Sequence, residues 1–167
     1  NMYGDDGWYN YTPAPWHRGA LEVYYWSMNE KDRARLDNNS WIDFLHGESP
    51  DYPTKSLRGD FEVLRMRMEK VHDDTMSLDT RLSDNTNALN PAIVNNLVQQ
   101  MLGGIPGVHG NTLHCRVRYF DPESRRSGLP EGVGSLVERL GSDSVTVQLV
   151  NLDPVNDRRL VIQGGAY

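Results

Sequence analysis

The chain has 167 residues, 38% of them hydrophobic and 24% charged, with a net charge of -6. That is enough for one domain or two small lobes with a real core, and the composition is globular rather than disordered. The acidic balance, with no Lys/Arg stripe to offer phosphate contacts, argues against nucleic acid as a main partner. No apolar run approaches the roughly 20 residues that a membrane span needs, and the single cysteine, Cys115, excludes an internal disulfide framework and a Cys-based zinc site.

The amino end is the most distinctive segment. The first 26 residues carry eight of the fifteen aromatic side chains, from Tyr3 and Trp8 to Tyr24, Tyr25 and Trp26, with paired carboxylates in Gly4-Asp5-Asp6-Gly7. Flat rings beside acids suit a sugar cleft: rings stack on the apolar faces of pyranoses, and carboxylates hold hydroxyls or move protons. On this reading Trp8, Tyr9, Tyr11, Trp16 and His17 bind substrate, and Asp5 or Asp6 is catalytic. A glycosidase needs two carboxyls about 5 to 9.5 Å apart. Adjacent aspartates generally point apart, so a second acid, such as Glu22 or a residue of the missing part, is required. The competing reading makes Asp5-Asp6-Gly7 a turn and the rings packing material. Both stand at this point.

Next, Leu21, Tyr24, Tyr25 and Met28 recur at helical spacing and predict a helix over 19–29 with an aromatic face. Asp32 to Leu36 extends it or forms a second turn. Ser40 is expected to cap a short helix through Trp41, Phe44 and Leu45 that stops at Gly47. Ser49-Pro50-Asp51-Tyr52-Pro53 reads as a rigid connector. The longest helix is expected from Thr54 to about His72, its apolar stripe made by Leu57, Phe61, Leu64, Met68 and Val71. Residues 73–90 are polar, turn-rich and too long for an ordinary connection. Asn90-Pro91 is expected to open a further helix carrying Ile93, Val94, Leu97, Val98, Met101 and Leu102, closed by Gly103-Gly104.

After Gly103 the period changes. Leu113 to Phe120 alternates in twos, with His114, Arg116 and Arg118 outward and Cys115 on the apolar row, a buried small hydrophobe rather than a nucleophile. Leu136 to Leu140 is expected to be a short helix ended by Gly141. Val145–Val150 reads as a strand, Asn151–Asp157 as a turn and Arg159–Gln163 as a returning strand. The fold class is therefore α+β: a helical segment over 1–103, then an antiparallel β-sheet or sandwich segment over 104–167. The five histidines show no HxxxH or HExxH spacing and no EF-hand appears, so no metal or cofactor is expected. The basic row Arg116, Arg118 and Arg125 offers a further option, an anion site.

The run from Asn1 to Gly19 resembles a loop-to-helix segment of the α/α-toroid proteins of the six-hairpin glycosidase kind. The segment Val147-Gln148-Leu149-Val150-Asn151-Leu152-Asp153-Pro154 is similar to strands of the β-sandwich that follows such toroids in secreted bacterial proteins. The resemblance covers about a quarter of the chain. It implies toroid-like helical hairpins, carbohydrate as partner and a secreted or periplasmic location. Together with Asn1 in place of a start methionine and a strand running off the end, it leads to the expectation of a piece of a larger carbohydrate-active protein, a glycoside hydrolase. The alternative is a non-catalytic structural or interaction module whose aromatic segment packs on the missing part of the same polypeptide or on another chain.

Overall fold

The computed structural model describes residues 17–36, 38–77, 90–105 and 114–165. The chain is an α+β fold. Its described helices are α1 (His17–Ser27), α2 (Glu30–Arg33), α3 (Ser40–Leu45), α4 (Tyr52–His72) and α5 (Asn95–Leu102). Among the described residues five strands follow: β1 (Val117–Asp121), β2 (Arg126–Ser127), β3 (Val133–Leu140), β4 (Val145–Asn151) and β5 (Val161–Gly164). They form two antiparallel sheets, one ordered β2-β1-β5 and the other β3-β4.

The helix boundaries follow from local chemistry. Met28 takes a left-handed φ of 49° and ends α1. The Asn29 side chain then accepts a hydrogen bond from the Lys31 amide and starts α2, so Asp32 belongs to a second turn. Asn39, not Ser40, caps α3, its Oδ1 accepting from the Ile42 amide at 3.2 Å. The rigid connector is shorter than expected, because Tyr52 and Pro53 already form the first turn of α4, where proline loses no helical hydrogen bond.

Two expectations about elements are corrected. The helix opened by Asn90-Pro91 begins only at Asn95. Asn90 does make a side-chain turn, accepting from the Ala92 amide at 3.0 Å. However, Arg67 of α4 donates to the Asn90 and Ala92 carbonyls. Those carbonyls are the acceptors that a first helical turn would need. The second correction is Leu136–Leu140, which is not a helix but the second half of β3, paired from Leu136↔Gln148 to Leu140↔Val145. A bulge between Val137 and Arg139 shifts the register, so Val137 and Leu140, three apart, are both buried. An extra residue in a strand thereby imitates helical spacing.

Val145–Val150 is a strand as expected, and of the strand expected over Leu113–Phe120 the part from Val117 forms β1, His114 makes an isolated bridge to Ile105, and Leu113 lies outside the described residues. In β1, Val117, Tyr119 and Asp121 point inward while Arg118 and Phe120 face out, and Cys115 lies buried on the same inner row. The core runs across the helix and strand segments: Leu21, Tyr24 and Tyr25 of α1 and Trp41, Ile42 and Leu45 of α3 pack with Val117, Tyr119, Val137 and Leu140. The turn leaving α5 passes very close to β1. Gly103 takes the left-handed C-cap with φ 63°. At Gly104 a Cβ would overlap the carbonyl oxygen of His114, to whose chain the neighbouring Ile105 amide is bonded at 3.2 Å. Gly104→Ala should therefore destabilise the protein by about 1–3 kcal/mol, the usual cost of forcing extra atoms into packed structure. Urea unfolding with an unchanged midpoint would refute that close approach.

Candidate functional site

The sequence places its candidate site at the amino end. Asp5, Asp6, Trp8, Tyr9, Tyr11 and Trp16 lie outside the described residues, as does the His17 side chain, although His17 begins α1. The described remainder of the aromatic run splits two ways. Tyr24 and Tyr25 are sealed in the core, whereas Trp26 is 65% exposed and meets the His114 ring edge-on at 5.4 Å.

Tyr25 is fully partnered. Its hydroxyl accepts from Trp41 Nε1 at 2.8 Å and donates to the Gly104 carbonyl at 3.4 Å. The Arg116 guanidinium sits 5.2 Å from the ring centroid and donates to the Tyr25 carbonyl. Tyr24 contacts His46 Nε2 at 2.9 Å. Burial pushes both phenols above their ordinary pKa and pushes the His46 imidazole below its own.

The basic row does not converge. Arg116 is held by Tyr25, Arg118 is exposed on β1, Arg125 lies in a turn with φ 50°, and Arg126 stands 3.8 Å from Asp121. Asp121 and Asp153 act as turn formers. Asp121 accepts from the Glu123 and Ser124 amides, which holds its carboxyl below the usual range. Asp153 accepts from the Val155 and Asn156 amides and pairs with Arg158 at 2.6 Å, and its pKa is pulled down to about 2, first by those backbone bonds. Burial raises the Cys115 thiol, which suits a packed side chain rather than a nucleophile. Among the described residues, no group of three or more His, Cys, Asp or Glu side chains could hold a metal ion. No helix among them is long and apolar enough to cross a membrane.

What the tertiary structure does assemble is an inverted helix pair. Where α4 meets α5, the contacts are polar. Tyr52 donates to Gln99 Oε1 at 3.0 Å, Gln100 Nε2 donates to Ser56 Oγ at 2.7 Å, and Asn96 Nδ2 donates to Asp60 Oδ1 at 2.7 Å. Asp60 is only 8% exposed, and its Oδ2 is buried without a hydrogen-bond partner. Of the apolar stripe of α4, Phe61 is 61% and Met68 48% exposed and Val71 is exposed too, while Leu57 and Leu64 are half-buried. Leu97 of α5 is 50% exposed. Leu57, Leu97, Leu136 and Val150 line a groove of about 290 Å³ between the helix pair and the β3-β4 sheet. No sequence period announces this inversion, because Ser56, Asp60, Asn96 and Gln100 carry no apolar signal.

No family model, curated protein or solved structure matches the chain.

The buried phenols imply a limit to alkaline stability. Tyr52 is raised to about 12 by burial and then by the Asp60 charge, from an unfolded value of 10.0. A phenol kept neutral by the fold stabilises it fully below pH 10, and that contribution disappears as pH rises towards 12. The thermal midpoint should fall across this window, and more gently in Tyr52→Phe. Identical alkaline slopes for the two proteins would contradict the assignment.

Proposed function

We propose that this chain is a non-catalytic interaction module that docks a partner on the face built by α4, α5 and β4. The observation that carries the reading is the outward apolar stripe of α4, continuous with exposed Leu97 and Val150 around the groove. Isolated exposed apolar residues are ordinary, but a contiguous patch on an ordered helix marks a surface that is covered in use. The same helix turns Ser56 and Asp60 toward α5 and leaves Phe61, Met68 and Val71 exposed among its charged residues. The described carboxylates Asp121 and Asp153 are occupied in turns, and Tyr24 and Tyr25 are sealed, which leaves these groups structural.

The test is thermodynamic. Serine at buried apolar positions leaves a cavity, and truncating a buried Phe costs about 3–5 kcal/mol. Exposed substitutions usually lie within about 0.5 kcal/mol. Phe61→Ser/Met68→Ser should keep the melting temperature nearly unchanged while lowering binding of an apolar dye. A core-sized loss of stability would mean the stripe belongs to the chain's own interior, and the module reading would fall.

A second reading has one observation in its favour. The exposed Trp26 ring on α1 extends the aromatic run that suggested a secreted or periplasmic glycoside hydrolase with Asp5 or Asp6 as catalytic carboxylate. Under it, soluble glycans should quench tryptophan fluorescence in the wild type and not in Trp8→Ala/Trp16→Ala. Absence of any glycan response across polysaccharide classes would remove carbohydrate from consideration.

A further inference from the structure

The α4 stripe has a spacing that specifies what covers it. Leu57, Phe61, Leu64, Met68 and Val71 follow one another at intervals of four, three, four and three residues. That alternation is the seam on which a second helix lies, spanning about 21 Å at 1.5 Å per residue. The two borders of the seam differ. On one side stand Asp60 and Arg67, already engaged by Asn96 and by the Asn90 and Ala92 carbonyls. On the other stand Arg58, Arg65 and His72, seven residues apart and all exposed, on a protein whose net charge is -6. His72 contacts the neighbouring Asp73 at 3.2 Å. Glu62 and Glu69 lie one row further from the seam. Among the described residues neither Arg58 nor Arg65 has an ion pair.

These borders disfavour a second copy of the chain. A parallel copy would have to present its Asp60 and Arg67 row, which is covered by α5 and the segment preceding it. An antiparallel copy would bring the two rows together with Arg65 facing Arg65, a like-charge contact that costs affinity. From this we infer that the occupant is an amphipathic helix of another protein, apolar along one stripe and carrying Asp or Glu at seven-residue intervals beside it. Its apolar side chains seat on Phe61 and Met68, with one end reaching the groove at Leu57 and Leu97, and its carboxylates pair with Arg58 and Arg65. The inference rests on the docking-module reading and adds the chemistry of the partner.

Two synthetic helical peptides with the same three-heptad apolar stripe, one flanked by Glu and one by Lys, provide the probe. Fluorescence anisotropy with the full chain should give at least tenfold tighter binding of the Glu-flanked peptide at low salt. Arg58→Glu/Arg65→Glu should reverse that order, because both positions are exposed and the fold does not depend on them. Phe61→Ser should weaken both peptides at least tenfold while the melting temperature holds. Equal affinity for the two peptides, a preference that survives the charge reversal, or no binding of either would overturn the acidic-helix assignment. So would a dimer in sedimentation that Phe61→Ser dissociates, which would make the second copy the occupant. Any of these with a stable Phe61→Ser/Met68→Ser protein sinks only the partner class, whereas a core-sized stability loss in that protein sinks the module reading itself.

Discussion

Tyr25 is the side chain on which the architecture closes. Its hydroxyl links the indole of Trp41 to the Gly104 carbonyl, and its ring and carbonyl both hold Arg116. Helices α1 and α3, the turn leaving α5 and the approach to β1 thus meet at one phenol. A buried hydroxyl without partners would cost free energy, and here both of its hydrogen-bonding roles are filled. The requirement for glycine at 104 follows from the same junction, since the α5 exit must press against the His114 carbonyl for the phenol to reach its acceptor.

Around that clamp the two sides of the helical layer obey opposite rules. The side formed by α1 and α3 buries large apolar groups, each contributing about 1.5–3 kcal/mol. The joint between α4 and α5 uses amide, hydroxyl and carboxylate contacts, each worth only about 0.5–1.5 kcal/mol net, and leaves one oxygen of Asp60 unsatisfied at a cost of about 1–3 kcal/mol. Tyr52, Met101 and Leu102 of this pair pack against the core, but Phe61, Met68 and Leu97 stand largely in water and gain from being covered. The polar joint also fixes orientation: Asn96 and Gln100 find their partners only when α4 presents Asp60 and Ser56. The outward direction of Phe61 and Met68 is the geometric consequence.

Charged residues in the β segment serve a different end. Asp121 and Asp153 each gather two backbone amides and shape the turns that follow β1 and β4. Arg126 and Arg158 lie beside them. These charged side chains are thereby occupied in holding loops. The aromatic segment over 1–16, where the sugar reading has its candidate residues, is outside the described residues.

Local chemistry made α1, the α4 span, β1, β4 and the turn at Asp153 legible from the chain alone. Their periods of 3.6 and 2, their caps and their turn residues act within a few positions. The inward row of β1, including Cys115, was readable for the same reason. Three features were decided elsewhere. The register bulge in β3 depends on pairing with β4, the late start of α5 depends on Arg67 reaching from α4, and the outward turn of the α4 stripe depends on Asn96 and Gln100 capturing its polar side. In each case the deciding partner lies more than five residues away in sequence, and its hydrogen bonds exist only once the chain has folded.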